Sequence, residues 1–361
     1  MDKILRINMG AENGPQISEE PLGDYVGMGG RAMTSGIVSK EVPPLCHPLG
    51  ADNKLVIAPG LLSGTLAANS GRLSVGCKSP LTGGIKEANA GGQASQVLAR
   101  LGYAAIVLEG KPDDNLYKIL INADGVKIEA DNSLKGLGNY DTVAKMINAY
   151  GDKVACISIG PAGEMKLASA SIACTDMELR PTRHAGRGGV GAVMGAKGVK
   201  VIVLDDAGKK MRKPKDPEKY KAANKIWVAG LTGNAITGEA LPSFGTNVMT
   251  NAINEAGGYP TRNFSDGRFE GAANISGETQ AELEIARGGK ATHGCHRGCV
   301  IKCSGIFHDK DGNYLTKQPE YETLWAHGGN CGIDDLDAIA MMDRLDDDFG
   351  IDTIETGVSI G

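Results

Sequence analysis

Three patches in the first two hundred residues are dense in glycine: GMGGR at 27–31, GGIKEANAGG at 83–92 and GRGGVG at 186–191. Apolar residues run through them, so they belong to a packed body and not to a flexible tether. Glycine makes up 52 of 361 residues, about twice the usual share. At that density a chain must press backbone against backbone, or turn its amides toward a large ligand. Both readings stand at this point.

The segments between the patches read mainly as strands. KILRI (3–7), KLVIAP (54–59), AAIVLEG (104–110), VACISIG (154–160) and VKVIVL (199–204) are short β-type runs bounded by turn residues. LYKILINADGVKIEA (116–130) reads as a hairpin with Asp124-Gly125 as its turn. Helical stretches fall near 92–101 and 140–150. The segment 205–225 is rich in lysine, carries two prolines and lacks strand character, so the domain junction is expected near 207–216. A helix should start at Asp216-Pro217, because proline is favourable at the first helical position. The texture beyond is helical, and DDLDAIAMMDRL (334–345) shows helical spacing with Asp334 as a candidate cap. The expected architecture is α+β. A β-rich domain spans 1–208 and a mainly helical one spans 209–361. The chain stops at ETGVSIG, just after a motif-like turn, and is expected to end inside a domain.

A net charge of -5 and a pI near 5.8 argue against a general nucleic-acid binder. No apolar run approaches the roughly 18 residues of a membrane span. MDKILRINMG carries charges where an export signal needs an apolar core, so a cytoplasmic location is expected. In a reducing compartment clustered thiols are metal ligands before they are disulfides.

HGCHRGCVIKCSG (293–305) sets Cys295, Cys299 and Cys303 at even intervals of four. Zinc would want paired cysteines or cysteines with histidines, and His293, His296 and His308 are near. The C-x3-C-x2-C of radical enzymes fails on the second spacing. A [4Fe–4S] cubane takes four thiolates, and this loop supplies three, with Gly294, Gly298 and Gly305 allowing the backbone to wrap an inorganic core. The iron–sulfur reading is the strongest. Its fourth ligand is unidentified, Cys331 being the only later cysteine.

GRGGVG formally matches a dinucleotide-binding fingerprint, but that motif needs a strand leading into its first glycine. ELRPTRHA (178–185) is polar, basic and broken by proline. Arg180, Arg183 and Arg187 crowd the segment, as suits an anionic ligand or a surface ion-pair patch.

In order along nearly the whole chain, five segments and a turn resemble the aldehyde:ferredoxin oxidoreductase family of tungsten or molybdenum pterin enzymes. They are YVGMGGRA, SGRLSVGCKSPLTGGIKEANAGG (70–92), RHAGRGGVGAVMGAKGVKVIVL (183–204), the cysteine loop and PEYETLWAHGGNCGIDDLDAI (319–339); the turn is DDFGIDT (347–353). The resemblance implies a two-sheet base that seats a bis-pterin cofactor (tungstopterin or molybdopterin), helical domains over it, and a nearby [4Fe–4S] cluster. It implies cluster ligation by Cys295, Cys299 and Cys303, although the family more often shows C-x2-C-x3-C. It likens Arg72 to an arginine bridging cluster and pterin. Asn89 and His184 match positions whose carbonyls bind Mg2+ between the pterin phosphates. Arg183 is likened to a phosphate contact, with Gly91, Gly92 and Gly186 lining the cofactor, and Asp347 and Asp352 to pterin-ring anchors. Glu322 is likened to the active-site carboxylate, with Glu320 second. A fourth cluster cysteine, a second pterin motif and an active-site histidine belong to the family's later part, past residue 361.

The chemistry implied is oxidation of a small aldehyde to a carboxylic acid, with electrons leaving through the cluster to ferredoxin or an iron–sulfur partner subunit. A homodimer or a hetero-oligomer fits equally. Alternatives are a low-potential reductase acting on aryl-CoA or carboxylate, a non-catalytic electron-transfer subunit, and a nicotinamide dehydrogenase using GRGGVG.

Overall fold

The computed structural model describes residues 1–361. They form two compact units: Met1–Lys215 with Asp347–Ile351, and Asp216–Asp346 with Asp352–Gly361.

The first unit holds two six-stranded sheets. One is built from β1 (Lys3–Asn8), β2 (Gln16–Pro21), β3 (Leu55–Pro59), β4 (Leu73–Lys78), β5 (Ile85–Ala90) and β6 (Tyr103–Glu109), in the order β2-β1-β6-β3-β4-β5. The other is built from β7 (Tyr117–Asn122), β8 (Gly125–Ala130), β9 (Ala155–Ser158), β10 (Ile172–Cys174), β11 (Arg183–Ala185) and β12 (Val199–Leu204), in the order β11-β10-β9-β12-β7-β8. Each has a single parallel pair, β1 with β6 and β7 with β12.

The strand period of two explains the layering. Leu5 and Ile7 of β1 and Ile57 of β3 face a central core shared with Ile119, Ile157 and Ile202 of the other sheet. Ile4, Val56 and Val107 face outward, against Met33, Ile37 and Val38 of the helix Arg31–Glu41. On the far side, Cys156, Val201 and Val203 pack under Val143 and Met146 of the helix Asn139–Tyr150. Strands covered on both faces read as continuous apolar runs, as LVIAP and VKVIVL do. The single lysine in the second run, Lys200, is wholly buried. Its Nζ donates to the Leu137 carbonyl at 2.6 Å and pairs with Glu164.

The β7–β8 hairpin differs from expectation at its tip. Asn122 pairs with Gly125, so Ala123 and Asp124 make the turn, and neither has positive φ. The Asn122 Oδ1 accepts from the amides of Asp124 and Gly125 at 2.9 and 3.2 Å, which closes the turn with a side chain instead of a left-handed dipeptide.

The glycine patches hold positions with two kinds of surroundings. A Cβ on Gly92 would lie 2.4 Å from the Thr175 carbonyl oxygen, and one on Gly191 would lie 2.2 Å from that of Ser171. Here backbone meets backbone. A Cβ on Gly186 would meet nothing within 4 Å.

The second unit is helical around a small sheet of β13 (Lys290–His293), β14 (Ser304–His308) and β15 (Tyr314–Lys317). Its core gathers Tyr259, Phe269, Ile275, Phe307, Leu324 and Ile339. The helix Pro217–Thr232 starts where expected, with Asp216 Oδ1 accepting from the Lys219 amide at 3.0 Å, and none of its residues is buried. In the helix Leu336–Phe349 the cap is Asp335 and not Asp334. The Asp335 carboxylate accepts from the Asp337 amide at 2.8 Å, while Asp334 accepts from the Asn274 side chain.

Candidate functional site

In the second unit the cysteine loop joins β13 to β14. The ligand atoms of Cys295, His296 and Cys299 lie within 4.8 Å of one another. The Lys302 amide donates to the Cys299 sulfur at 3.4 Å, an N–H···S contact of the kind that tunes cluster thiolates. The Cys295 thiol, and after it burial, raise the Cys299 thiol above its ordinary value, so the two sulfurs converge closely. Cys303 lies within electrostatic reach of Cys299 but outside the 4.8 Å group, and its backbone bridges to His293. The donors fit a thiophilic centre. The structure adds His296, which is buried, to the two thiols that converge.

Two polar clusters occupy the first unit. Antiparallel pairing of β4 with β5 sets Ser74 opposite Asn89, and Arg72, just before β4, reaches across. Its Nε donates to Asn89 Oδ1 at 2.5 Å and its Nη2 to the Asn89 carbonyl at 3.3 Å. Asn89 in turn donates to Ser74 Oγ at 3.2 Å. This fixes an exposed guanidinium beside the glycine pair Gly91 and Gly92, both buried.

β11 lies alongside β5 and carries the second cluster. Arg183 is 6% exposed. His184 Nδ1 meets Ser171 Oγ at 2.8 Å, and its Nε2 lies 3.0 Å from the Pro181 carbonyl and 3.1 Å from Asp347 Oδ1. Asp347 belongs to a segment bound into this unit at four points. Asn139 Nδ2 donates to the Asp347 carbonyl (2.8 Å), the Tyr140 amide to Asp348 Oδ1 (3.0 Å) and the Ser171 amide to the Gly350 carbonyl (2.8 Å), while Ala170 bridges to Ile351. Gly186 follows directly on β11 with open space at its Cβ position. An arginine, carbonyls and side-chain-free backbone suit a phosphate-bearing ligand and its hard cation.

Asp352 takes a different part from Asp347. It caps the helix Thr353–Ile360, with Oδ1 accepting from the Ile354 amide at 3.1 Å.

Glu320 and Glu322 flank Tyr321 at a single helical turn of the second unit. Glu320 Oε2 accepts from Thr246 Oγ1 at 2.6 Å, and that hydroxyl also receives the Tyr321 amide at 3.0 Å. Glu322 is half-buried, and its charge is the second cause, after burial, that raises the Tyr321 phenol. A π-helical turn, Leu324–Gly328, follows, a feature frequent at functional sites. There His327, 1% exposed, holds Asp346 at 2.6 Å.

Sequence reasoning missed a buried acid in this unit. The helix Gly277–Ala286 turns Gly277, Gln280, Ala281 and Glu284 inward. Their spacing is helical, but a search for apolar periodicity passes over a stripe containing two polar residues. His327 and Asp346 were missed for the same reason.

Two family models match the chain: aldehyde ferredoxin oxidoreductase, N-terminal domain, over residues 4–206, and aldehyde ferredoxin oxidoreductase, domains 2 and 3, over residues 223–361. The tungsten-containing aldehyde ferredoxin oxidoreductase of Thermococcus kodakarensis is 38% identical over 359 residues, covering 98% of this chain and 56% of that protein. The aliphatic sulfonate oxidoreductase, WOR-like subunit, of Pyrococcus furiosus is 26% identical, covering 99% and 58%. Among solved structures, the active-site complex BamBC of benzoyl coenzyme A reductase with 1,5-dienoyl-CoA shares the fold. Its TM-score is 0.78 at 24% identity, covering 98% of this chain and 53% of the other. The chain thus spans about half the length of the curated relatives it matches. No helix is long and apolar enough to cross a membrane.

Proposed function

This chain belongs to the aldehyde ferredoxin oxidoreductase family, and we propose that it is the cofactor-seating part of a tungsten or molybdenum bis-pterin enzyme. The reaction is oxidation of an aldehyde to a carboxylic acid, with electrons passing through a [4Fe–4S] cluster to ferredoxin or an iron–sulfur partner subunit. When bound, the metal–pterin group supplies the two-electron redox chemistry, and the protein supplies binding, orientation and proton handling.

The residues divide that work. Arg183 presents its guanidinium to phosphate, and Arg72, held by Asn89, is the cation beside the pterin. The carbonyls of Asn89 and His184 would serve a bridging Mg2+. Gly91, Gly92 and Gly186 line the cofactor, Gly186 admitting it at the bare backbone position beside them. Asp347, oriented by the His184 imidazole, is an acceptor for ring N–H groups, and Asp352, the last residue of the same sequence motif, is the second such acceptor. Cys295, Cys299 and Cys303 provide thiolates for the cluster. Glu322, with Glu320 beside it in the chain, holds or moves the proton that substrate oxidation releases.

The observation that carries this reading is the contact between His184 and Asp347. It joins a residue beside the glycine motif to the first residue of the D-x-x-G-[LI]-D turn, with no role for either in a nicotinamide site. Metal and pterin analysis of anaerobically purified protein tests it. Tungsten or molybdenum with two pterins per metal and aldehyde-dependent reduction of a low-potential dye is the expected result. Protein without either metal, or without pterin, overturns it.

A further inference from the structure

His327 and Asp346 are both buried, and His327 Nε2 lies 2.6 Å from Asp346 Oδ2. A carboxylate only accepts, so Nε2 carries the proton and donates it. The other ring nitrogen, Nδ1, is buried with no partner. The imidazole therefore makes one hydrogen bond, and that bond goes to Asp346. An orphaned polar atom costs stability, and a pair of apolar side chains of similar volume would fill the space without that cost. Stability alone does not account for the pair.

Both partners stand on elements that the candidate site uses. His327 belongs to the continuous helical segment Tyr321–Gly328, whose first turn carries Glu322 and whose second is π-helical. The helix Thr353–Ile360 holds that segment in place. Thr323 Oγ1 donates to Thr353 Oγ1 at 3.1 Å, and a Cβ on Gly357 would lie 2.5 Å from the Ala326 carbonyl oxygen. Asp346 lies in the last turn of the helix Leu336–Phe349, and the next residue is Asp347, which meets His184 Nε2 at 3.1 Å. Consecutive residues of a helix point about 100° apart. Neighbouring carboxylates of one turn are thus held by two imidazoles along different directions, His327 within the second unit and His184 within the first. A helix end held through one side chain can turn about that contact, whereas one held through two cannot.

We propose that His327 is a positioning residue of the pterin seat. By binding Asp346 it sets the rotation of the turn that carries Asp347, and with it the direction in which Asp347 is presented to the ring N–H groups. Glu322 stands five residues before His327 on the same segment. One short, well-held element therefore places the proton-handling carboxylate and, through Asp346, the anchor of the cofactor that carboxylate serves. The proposal rests on the functional reading above, in which Asp347 anchors the pterin. His327 acts through Asp346 and touches neither substrate nor cofactor.

Three variants of the anaerobically purified protein test this by melting temperature, pterin per chain and amide hydrogen exchange over residues 347–351. His327→Gln keeps an N–H near the place of Nε2 and should retain wild-type pterin content and slow exchange. His327→Asn carries the same amide on a shorter arm that falls short of Asp346. It should lose pterin roughly tenfold and exchange about tenfold faster over 347–351, as befits one hydrogen bond to a charged group. His327→Phe combined with Asp346→Leu replaces the pair by apolar volume. It should melt at or above the wild-type temperature and still lose pterin as His327→Asn does, a combination that a purely structural pair would not produce. Wild-type pterin content in His327→Asn or in the double variant overturns the proposal, and so does a His327→Gln protein as depleted as His327→Asn. Wild-type protein that carries no pterin removes the functional reading instead. In that case exchange over 347–351 still decides whether His327 holds the turn, and equal exchange in wild type and His327→Asn means that it does not.

Discussion

His184 and Asp347 meet, imidazole Nε2 to carboxylate Oδ1, at 3.1 Å in the first unit. The imidazole is held on its other nitrogen by Ser171 and the carboxylate's backbone by Asn139, so each enters the contact already oriented. If Asp347 anchors the pterin, Asp347→Ala should purify with pterin and metal lowered at least tenfold, and Asp347→Asn, which keeps one acceptor, with a smaller loss. Metal content per chain by mass spectrometry decides it. Full metal in Asp347→Ala refutes the anchor.

The cysteine loop offers two donor sets, three thiols or two thiols with His296. Cys295→Ser, Cys299→Ser and Cys303→Ser should each abolish the reduced-cluster EPR signal, while His296→Ala should retain iron. Loss of metal only in the Cys295, Cys299 and His296 variants would reassign the loop to a mixed site of the zinc type.

Glycine positions supply a contrast in stability. Gly92→Ala places a methyl 2.4 Å from the Thr175 carbonyl at a φ of 86° and should cost about 2–4 kcal/mol in denaturant unfolding. Gly186→Ala meets nothing and should cost under about 1 kcal/mol, while lowering pterin content. Equal stability losses would mean that Gly186 packs against the chain as Gly92 does.

The buried acid makes a pH prediction. Because the folded carboxyl of Glu284 is raised to about 9 from an ordinary 4.5, the folded state keeps a proton that the unfolded state gives up. The stabilisation is full below the unfolded value and is lost as pH rises toward the folded one, by roughly 1.4 kcal/mol per pH unit at most. Glu284→Gln should therefore unfold at nearly the wild-type temperature at pH 4.5 and gain on wild type steadily to pH 8. Parallel melting curves across that range would show Glu284 to be ionised in the fold.

Substitution of the flanking glutamates ranks them. Glu322→Gln should lower kcat by about 100-fold or more with metal content intact. If Glu320→Gln is the more damaging, the proton-handling group is the one bonded to Thr246.

The strands were legible because burial on both faces leaves an uninterrupted apolar run, as in VKVIVL. That rule also hid Lys200, which looks like a polar interruption and is in fact satisfied inside by Glu164 and a carbonyl. The helix Arg31–Glu41 was less visible, since Thr34, Ser35 and Gly36 weaken its propensity. Glycine content announced close approach without saying to what; Gly92 and Gly186 differ only in what surrounds them. The thiol triplet was plain from spacing, whereas the convergence of His296, and not of Cys303, with the first two depends on how the loop bends. Glu284 lay beyond pattern reading altogether, because a lone glutamate in a helix is ordinarily wet.

The segment Asp347–Ile351 counts with the first unit although its neighbours on both sides count with the second. Proteolysis at Lys215 would therefore release a fragment with an open seam. The side chain of Asn139 and the amides of Tyr140 and Ser171 would have lost their acceptors, and adding the peptide DDFGI back in trans should heal it.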